Sequence, residues 1–247
     1  MAPPVAALAA GAVALLAWRT RSLTGGGAAA GWLVGPLVRV GTGWAGGAVL
    51  AAFFVSSSVV GRGERRDERQ VAANGAPAAL GALLGLHEPA LGLWVVTGSL
   101  AGAAADTWAT GIGARSRTAP RLLLLGQRVL PGTSGGMTPL GCAGASMGAL
   151  LVAATGAAAG GAPALLPMGT LVGFAGMLAD SALGAAWQGR FHCPACDEPS
   201  DWRVHRRCGS RTLWQGGVRW LDNDGVNLAA SALAGALAGL AWLAWLP

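Results

Sequence analysis

The chain has no lysine and no tyrosine, and only 11% of its 247 residues are charged. A soluble domain carries about 25% charged residues, so a soluble globular fold is excluded. The missing lysine also removes the Walker type of nucleotide loop, whose glycines are followed by one. It reflects a GC-rich coding bias rather than chemistry, and all 17 basic residues are arginines. The N-terminus lacks the basic region of a cleavable signal peptide: residues 1–18 are apolar, and Arg19 and Arg21 follow them. That order suits a first spanning helix with its N-terminus outside. No convincing internal repeat is present, which argues against transporters built from inverted repeats.

What is there is apolar. Of the residues, 53% are hydrophobic and 41 are glycine, and the mean hydropathy is +0.51. Eleven Trp and four Phe make up the aromatics, a usage that fits interfacial anchoring. A net charge of +6 and a pI near 10.8 would suit nucleic acid. The arginines, however, cluster between apolar spans, as in the cytoplasmic loops of membrane proteins, so no nucleic-acid partner is expected.

Apolar spans run over 2–18, 25–40, 41–60, 74–87, 89–105, 139–160, 164–187 and 226–246. A bilayer crossing takes about 20 helical residues. The stretch 74–87 is therefore short, and either begins inside the preceding polar loop or is a re-entrant helix. The expectation is an all-α polytopic bundle of about seven or eight transmembrane helices, one integral-membrane domain over 1–247. With eight crossings the inner loops are 19–24, 61–73, 106–138 and 188–225. They hold every Arg except Arg39, and every acid except Glu88 if Asp180 sits low in its helix. The expected location is the cell (inner) membrane with the active face cytoplasmic.

Polar motifs gather at that face. The run Leu221-Asp222-Asn223-Asp224-Gly225-Val226-Asn227 opens the last apolar span with two carboxylates and two carboxamides. Gly61-Arg62-Gly63-Glu64-Arg65-Arg66-Asp67-Glu68-Arg69-Gln70 is either a solvated basic loop at an anionic leaflet or a phosphate clamp, since guanidinium binds phosphate in bidentate fashion. Gln70 and Asn74 lie four apart, on one helical face. Asp106, with Thr107 beside it, closes an Ala-rich span, where it either caps the following helix or serves function. Asp180 and Ser181 stand inside a span, where an acid costs several kcal/mol unless paired or solvated. Gly132, Thr133, Gly135, Gly136 and Thr138 lead into a helix, and form either a flexible helix-entry loop or a cradle whose amides bind a phosphate with the helix dipole behind them.

Cys142 is alone in an apolar helix and reads as packing. Cys193, Cys196, His205 and Cys208 give C-x2-C-x8-H-x2-C, two close ligand pairs that suit a structural tetrahedral zinc in the 188–225 loop. His192 is a possible substitute ligand. A cytoplasmic loop argues against disulfides.

Five motifs occur in order. They are Gln70-Val71-x-x-Asn74-Gly75, Asp106-Thr107-Trp108-Ala109-Thr110, Gly132-Thr133-x-Gly135-Gly136-x-Thr138, Asp180-Ser181-x-Leu183-Gly184-Ala185-x-x-Gln188 and Leu221-Asp222-Asn223-x-x-Val226-Asn227. Together they resemble the integral-membrane family of plant and cyanobacterial phytyl-phosphate kinase of the vitamin E pathway. An animal transmembrane protein and many uncharacterised bacterial proteins belong to it. More distantly the chain is similar to the CTP-using polyprenol kinases. The resemblance covers 61–247 and implies transfer of a nucleotide's γ-phosphate, from CTP, onto an isoprenyl or phytyl monophosphate. One departure is clear: the family's acidic residue two positions after the Ala of Asp-Thr-x-Ala is Gly111 here.

The residues support that reading. Asp106, Asp180 and Asp222 would hold Mg²⁺ as the catalytic acids. Arg69, Gln70, Asn74, Thr107, Ser181, Gln188, Asn223, Asp224, Asn227 and the glycine loop would hold the nucleoside triphosphate and the lipid head. The bundle would hold the prenyl tail among membrane lipids. Two other readings stay open: an ion- or proton-coupled transporter or flippase using Asp180, and a non-catalytic membrane scaffold recruiting partners through the zinc loop.

Overall fold

The computed structural model describes residues 3–61, 65–123 and 125–245. Among them seven helices account for most of the chain: α1 (Pro3–Arg19), α2 (Gly25–Val60), α3 (Glu68–Gly85), α4 (Pro89–Gly113), α5 (Pro139–Gly160), α6 (Leu165–Ala186) and α7 (Asn223–Trp245). Four of these, α2, α5, α6 and α7, are long and apolar enough to cross a membrane by length and composition. Large side chains such as Leu33, Val55, Leu80, Leu171 and Leu240 are exposed around the outside. Soluble monomers do not tolerate so extensive an apolar exterior. The protein is a multi-pass helical membrane protein.

Helix α2 is two rods. A straight 36-residue helix would be about 54 Å long, yet its two ends meet. Thr24 donates its N–H to the Arg66 carbonyl (2.9 Å) and Arg66 donates back to Ser22 (3.1 Å). The intervening residues 61–66 can reach across at most about 20 Å, so α2 must fold back on itself. The fold-back is at Gly43, whose φ of 69° and ψ of −160° is a conformation that essentially only glycine adopts. The adjacent spans expected at 25–40 and 41–60 are these two rods. The short span expected at 74–87 resolves in the same spirit: α3 starts at Glu68, capped by Asp67 accepting from the Gln70 N–H (2.9 Å). It therefore draws its first turn and a half from the polar loop.

Helix α4 is the centre of the bundle. Every residue from Gly92 to Ala105 except Val95 is buried, and α2, α3, α5, α6 and α7 all pack on it. Between apolar helices in lipid the hydrophobic effect supplies little drive, and close packing of small residues replaces it. A Cβ built on Gly102 would stand 2.9 Å from Ala234 Cβ, and one on Gly176 would meet the same atom at 2.9 Å. Helices α4, α6 and α7 therefore touch nearly backbone to backbone.

The connections that carry polar residues converge at one end of the bundle. The Leu23–Arg66 pairing joins the end of α1 and both ends of α2 to the start of α3. The α4 terminus meets the start of α5, Gly113 lying against Gly141 and Thr138. Two small sheets also lie here, a departure from the purely helical expectation. In one, β1 (Arg121–Leu122) pairs with β2 (Gly136–Met137). In the other, β3 (Arg190–Cys193), β4 (Glu198–Ser200) and β5 (Leu213–Gly216) form an antiparallel sheet with β3 in the middle. The 188–225 segment, expected only as a loop, is thus a folded knuckle.

Candidate functional site

Helices α4 and α6 run parallel, and α7 runs antiparallel to both. Gly98 meets Ala238, Gly102 meets Ala234 and Ser231, and Gly176 meets Ala230 and Ala234. One turn further toward the polar end, the same register brings Asp106, Asp180 and Asn227 to one level. The two carboxylates there feel each other's charge. Asp180 Oδ2 is buried with no hydrogen-bond partner. An acid in that state is costly. Asp106 lies well inside α4 rather than capping a following helix, which removes the capping explanation for it.

The glycine loop docks on α6 beside this pair. Gly135 has φ 77°; a Cβ on it would stand 2.6 Å from Ala185 Cβ and 2.7 Å from the Ala185 nitrogen. Both the conformation and the close approach demand glycine. Gly132 shares the left-handed conformation, with φ 86°. The Gly136 amide is committed to the Thr133 carbonyl (3.0 Å), and Thr133 itself is exposed. Thr138 caps α5, accepting from the Gly141 N–H (3.0 Å). Ser181 donates its hydroxyl to the Met177 sulfur (3.9 Å). Thr107 donates to the Ala103 carbonyl (3.0 Å).

Asp222 and Asp224 belong to a second acidic group, three to five residues before Asn227. Asp222 is buried at the start of α7, where its Oδ1 accepts from the Gly225 N–H (3.2 Å) and its Oδ2 faces Arg203 Nε (3.7 Å). Asp224 takes both oxygens to Arg206 Nη2 (2.9 and 3.0 Å), and Arg206 Nε reaches Asp67 (3.3 Å). Asn223 donates its N–H to the Asp201 carbonyl (3.2 Å). Gln188, buried, donates to Asp201 Oδ1 (3.0 Å). Burial pushes the Asp201 carboxyl above its ordinary range, and the Gln188 amide partly offsets this.

The absent family acid has a local explanation. A Cβ on Gly111 would stand 2.8 Å from Val60 Cγ1 and 3.0 Å from the Val60 carbonyl oxygen. The end of α2 occupies the space that a glutamate would need.

A third feature carries no carboxylate. A cavity of about 680 Å³ lies among α1, the two rods of α2 and α3. Its walls are alanine, valine, leucine and phenylalanine, with Arg66, Gln70 and Asn74 among its few polar residues. Gln70 and Asn74 thus share a face, as their spacing indicated. Arg69 is exposed outside it. The Arg66 guanidinium and the Thr107 methyl both come within 4 Å of a Cβ placed on Gly61 (3.9 and 3.7 Å). The polar part of the cavity therefore adjoins the helix that bears Asp106. Arg62, Gly63 and Glu64, part of the expected arginine clamp, lie outside the described residues.

The knuckle gathers Cys193, Cys196, His205 and Cys208, whose ligand atoms all lie within 4.8 Å of one another. Cys193 and Cys208 sulfurs are 3.5 Å apart, and His205 Nδ1 is 3.3 Å from Cys208 Sγ. Tetrahedral zinc with bonds of about 2.0–2.3 Å gives ligand separations of roughly 3.3–3.8 Å, so the four residues fit that ion. Hydrogen bonds from Ser210 and His205 pull the Cys208 thiol down to about 6, toward the thiolate that binds metal. Hydrogen bonding with Cys208 pushes Cys196 up to about 11. His205 Nε2 points toward Glu198 (3.9 Å), the side from which carboxylates orient ligating imidazoles. His192, a possible substitute in the sequence, instead pairs with Asp197 (3.0 Å).

Sequence reasoning passed over Arg206 and Arg203. Their signal was present, since both stand in the cysteine-histidine stretch, but nothing in the order of residues said which acids they would meet.

Comparisons with known proteins agree with this architecture. The chain is 32% identical over 148 residues to Protein PGR of Arabidopsis thaliana, covering 55% of this chain and 50% of that protein. It is 31% identical over 152 residues to Uncharacterized membrane protein MJ0933 of Methanocaldococcus jannaschii, covering 57% of this chain and 64% of that one. The matched stretch thus spans between half and two thirds of these relatives. No solved structure matches. Residues 8–235 match the family described as Integral membrane protein DUF92, and the chain belongs to that family.

Proposed function

We propose that this protein is a membrane phosphotransferase that moves the terminal phosphoryl group of a nucleoside triphosphate, CTP in the family it resembles, onto an isoprenyl monophosphate. The observation that carries the reading is the Asp106–Asp180 pair, with its buried unpartnered oxygen, set between a glycine loop and an apolar cavity. Seven or eight crossings, with the polar end facing the cytoplasm across the cell membrane, follow from the arginine distribution.

In this reading Asp106 and Asp180 hold a divalent cation, which when bound neutralises the charge spread over the transferring phosphates. Asn227, at the same level, orients phosphate oxygens or the cation's waters. The Gly135 turn presents backbone to the nucleotide phosphates. The prenyl tail lies in the α1–α3 cavity, and its phosphate sits by Arg66, Gln70 and Asn74. A lipid phosphate oxygen attacks the terminal phosphorus as the bond to the nucleoside diphosphate breaks. A phosphate monoester is largely dianionic at neutral pH, with a second pKa of about 6. It needs no general base, so Gly111 in place of an acid does not disable the transfer. The four knuckle ligands hold zinc and shape the polar end.

The decisive experiment incubates purified protein with phytyl or geranylgeranyl monophosphate, Mg²⁺ and each nucleoside triphosphate in turn. Formation of the lipid diphosphate is expected with at least one pair. No product from any pair, alongside proton-coupled flux in proteoliposomes that Asp180→Asn abolishes, would replace this reading with transport.

A further inference from the structure

Arg206 stands between two members of the Cys/His cluster, His205 and Cys208. The short loop they close is tied by the His205 N–H to the Ser210 carbonyl (2.9 Å) and the Gly209 N–H to the His205 carbonyl (2.8 Å). The Arg206 side chain leaves this loop, stacks on Trp202 with its guanidinium carbon 4.1 Å from the ring centre, and ends between two helices. On one side it holds Asp224, in the first turn of α7, through both oxygens. On the other it reaches Asp67, the cap of α3, through Nε (3.3 Å). This is no loose surface pair: the Arg206 side chain is 25% exposed and that of Asp224 only 11%. Asp224 also feels the charges of Asp222 and Asp67, so removing the guanidinium would leave it facing two like charges without its counter-ion.

We propose that the metal-bound knuckle is a latch that fixes the N-termini of α3 and α7 relative to each other through Arg206. The sheet beneath the knuckle has strands of only three or four residues. In modules this small the free energy of metal binding is also that of folding. Bound metal therefore sets where Arg206 stands. Arg206 in turn sets the register of Gln70 and Asn74 on α3 against Asn227 on α7, the helices that Ser231 also joins by donating to the Ala73 carbonyl (3.2 Å). Arg206 is a positioning residue. Its importance for phosphate binding rests on the function proposed above; the latch itself does not.

The test is hydrogen exchange on the full chain in nanodiscs, loaded with zinc or stripped by chelation, followed at 67–75 and 223–231 with 143–156 as the reference. Stripping is expected to speed exchange at least about tenfold at both helix starts and leave the reference unchanged. Arg206→Met should reproduce that acceleration while still binding one zinc per chain. Pairing Arg206→Asp with Asp224→Arg should restore protection, as reversal of an ion pair does and general destabilisation does not. If Arg206→Met loses its zinc, Asp224→Asn cuts the same link from the other side and must give the same result. Exchange that rises only within 190–216 on stripping, or wild-type protein that takes up no zinc, overturns the proposal. A latch seen by exchange in protein that phosphorylates no lipid would reject the kinase reading and leave the latch standing.

Discussion

At the scale of residues, the proposed chemistry rests on a few acids in different situations. Asp180 has a buried oxygen without a partner, whereas Asp222 caps a helix and faces Arg203. Asp→Asn preserves shape and removes charge, so Asp106→Asn and Asp180→Asn should each lower kcat/KM for the lipid phosphate at least about a hundredfold. Asp222→Asn should instead lower the melting temperature in detergent more than it lowers turnover, since it weakens a cap. Equal losses of turnover in all three would mean that Asp222 also touches the phosphates. Gly111 gives the opposite kind of test. Replacing it with Glu restores the family's acid in name, but the added Cβ runs into the Val60 carbonyl. Gly111→Glu is expected to destabilise by about 1–3 kcal/mol, as overpacking does, and to give no gain in activity over wild type.

At the scale of elements, the fold-back in α2 decides where the cavity is. Nothing lies within 4 Å of a Cβ placed on Gly43, so a side chain there meets no steric neighbour. The cost is in the backbone, at φ 69°, and is of order 1–3 kcal/mol. Gly43→Val should therefore lower thermal stability in detergent, whereas Gly25→Ala, at the start of the same helix and also in open space, should not. Similar melting points for the two variants would show that the hairpin does not depend on Gly43. Because both rods line the cavity, Gly43→Val should also weaken retention of a long-chain lipid phosphate, read by lipid co-purification.

At the scale of the whole molecule, the arrangement is a ring of helices around α4 with its polar connections at one end. The proposed orientation makes a simple demand. Cys introduced at Ser116, in an expected inner loop, should resist a membrane-impermeant thiol reagent in intact cells and react after lysis. Labelling from outside would reverse the orientation.

Much of this was legible in the sequence because membrane insertion constrains a chain locally. Eight apolar stretches became eight helical rods among the described residues, α2 supplying two of them. The arginine-bearing loops came to one end because successive rods alternate in direction. The four zinc-compatible residues were readable from spacing, for two ligand pairs in short turns are a local feature. Other matters were decided only by packing. The sequence placed Asp106, Asp180 and Asp222 in motifs of equal weight, yet α4 and α6 bring the first two together while α7 gives the third to an arginine. Asp67 and Asp224, 157 positions apart, meet on Arg206 for no reason visible in the order of residues. The room denied to a side chain at Gly111 belongs to Val60, two helices earlier in the chain. Such pairings follow from how closely glycine- and alanine-lined helices approach one another, and that is a property of surfaces brought together rather than of any stretch of chain.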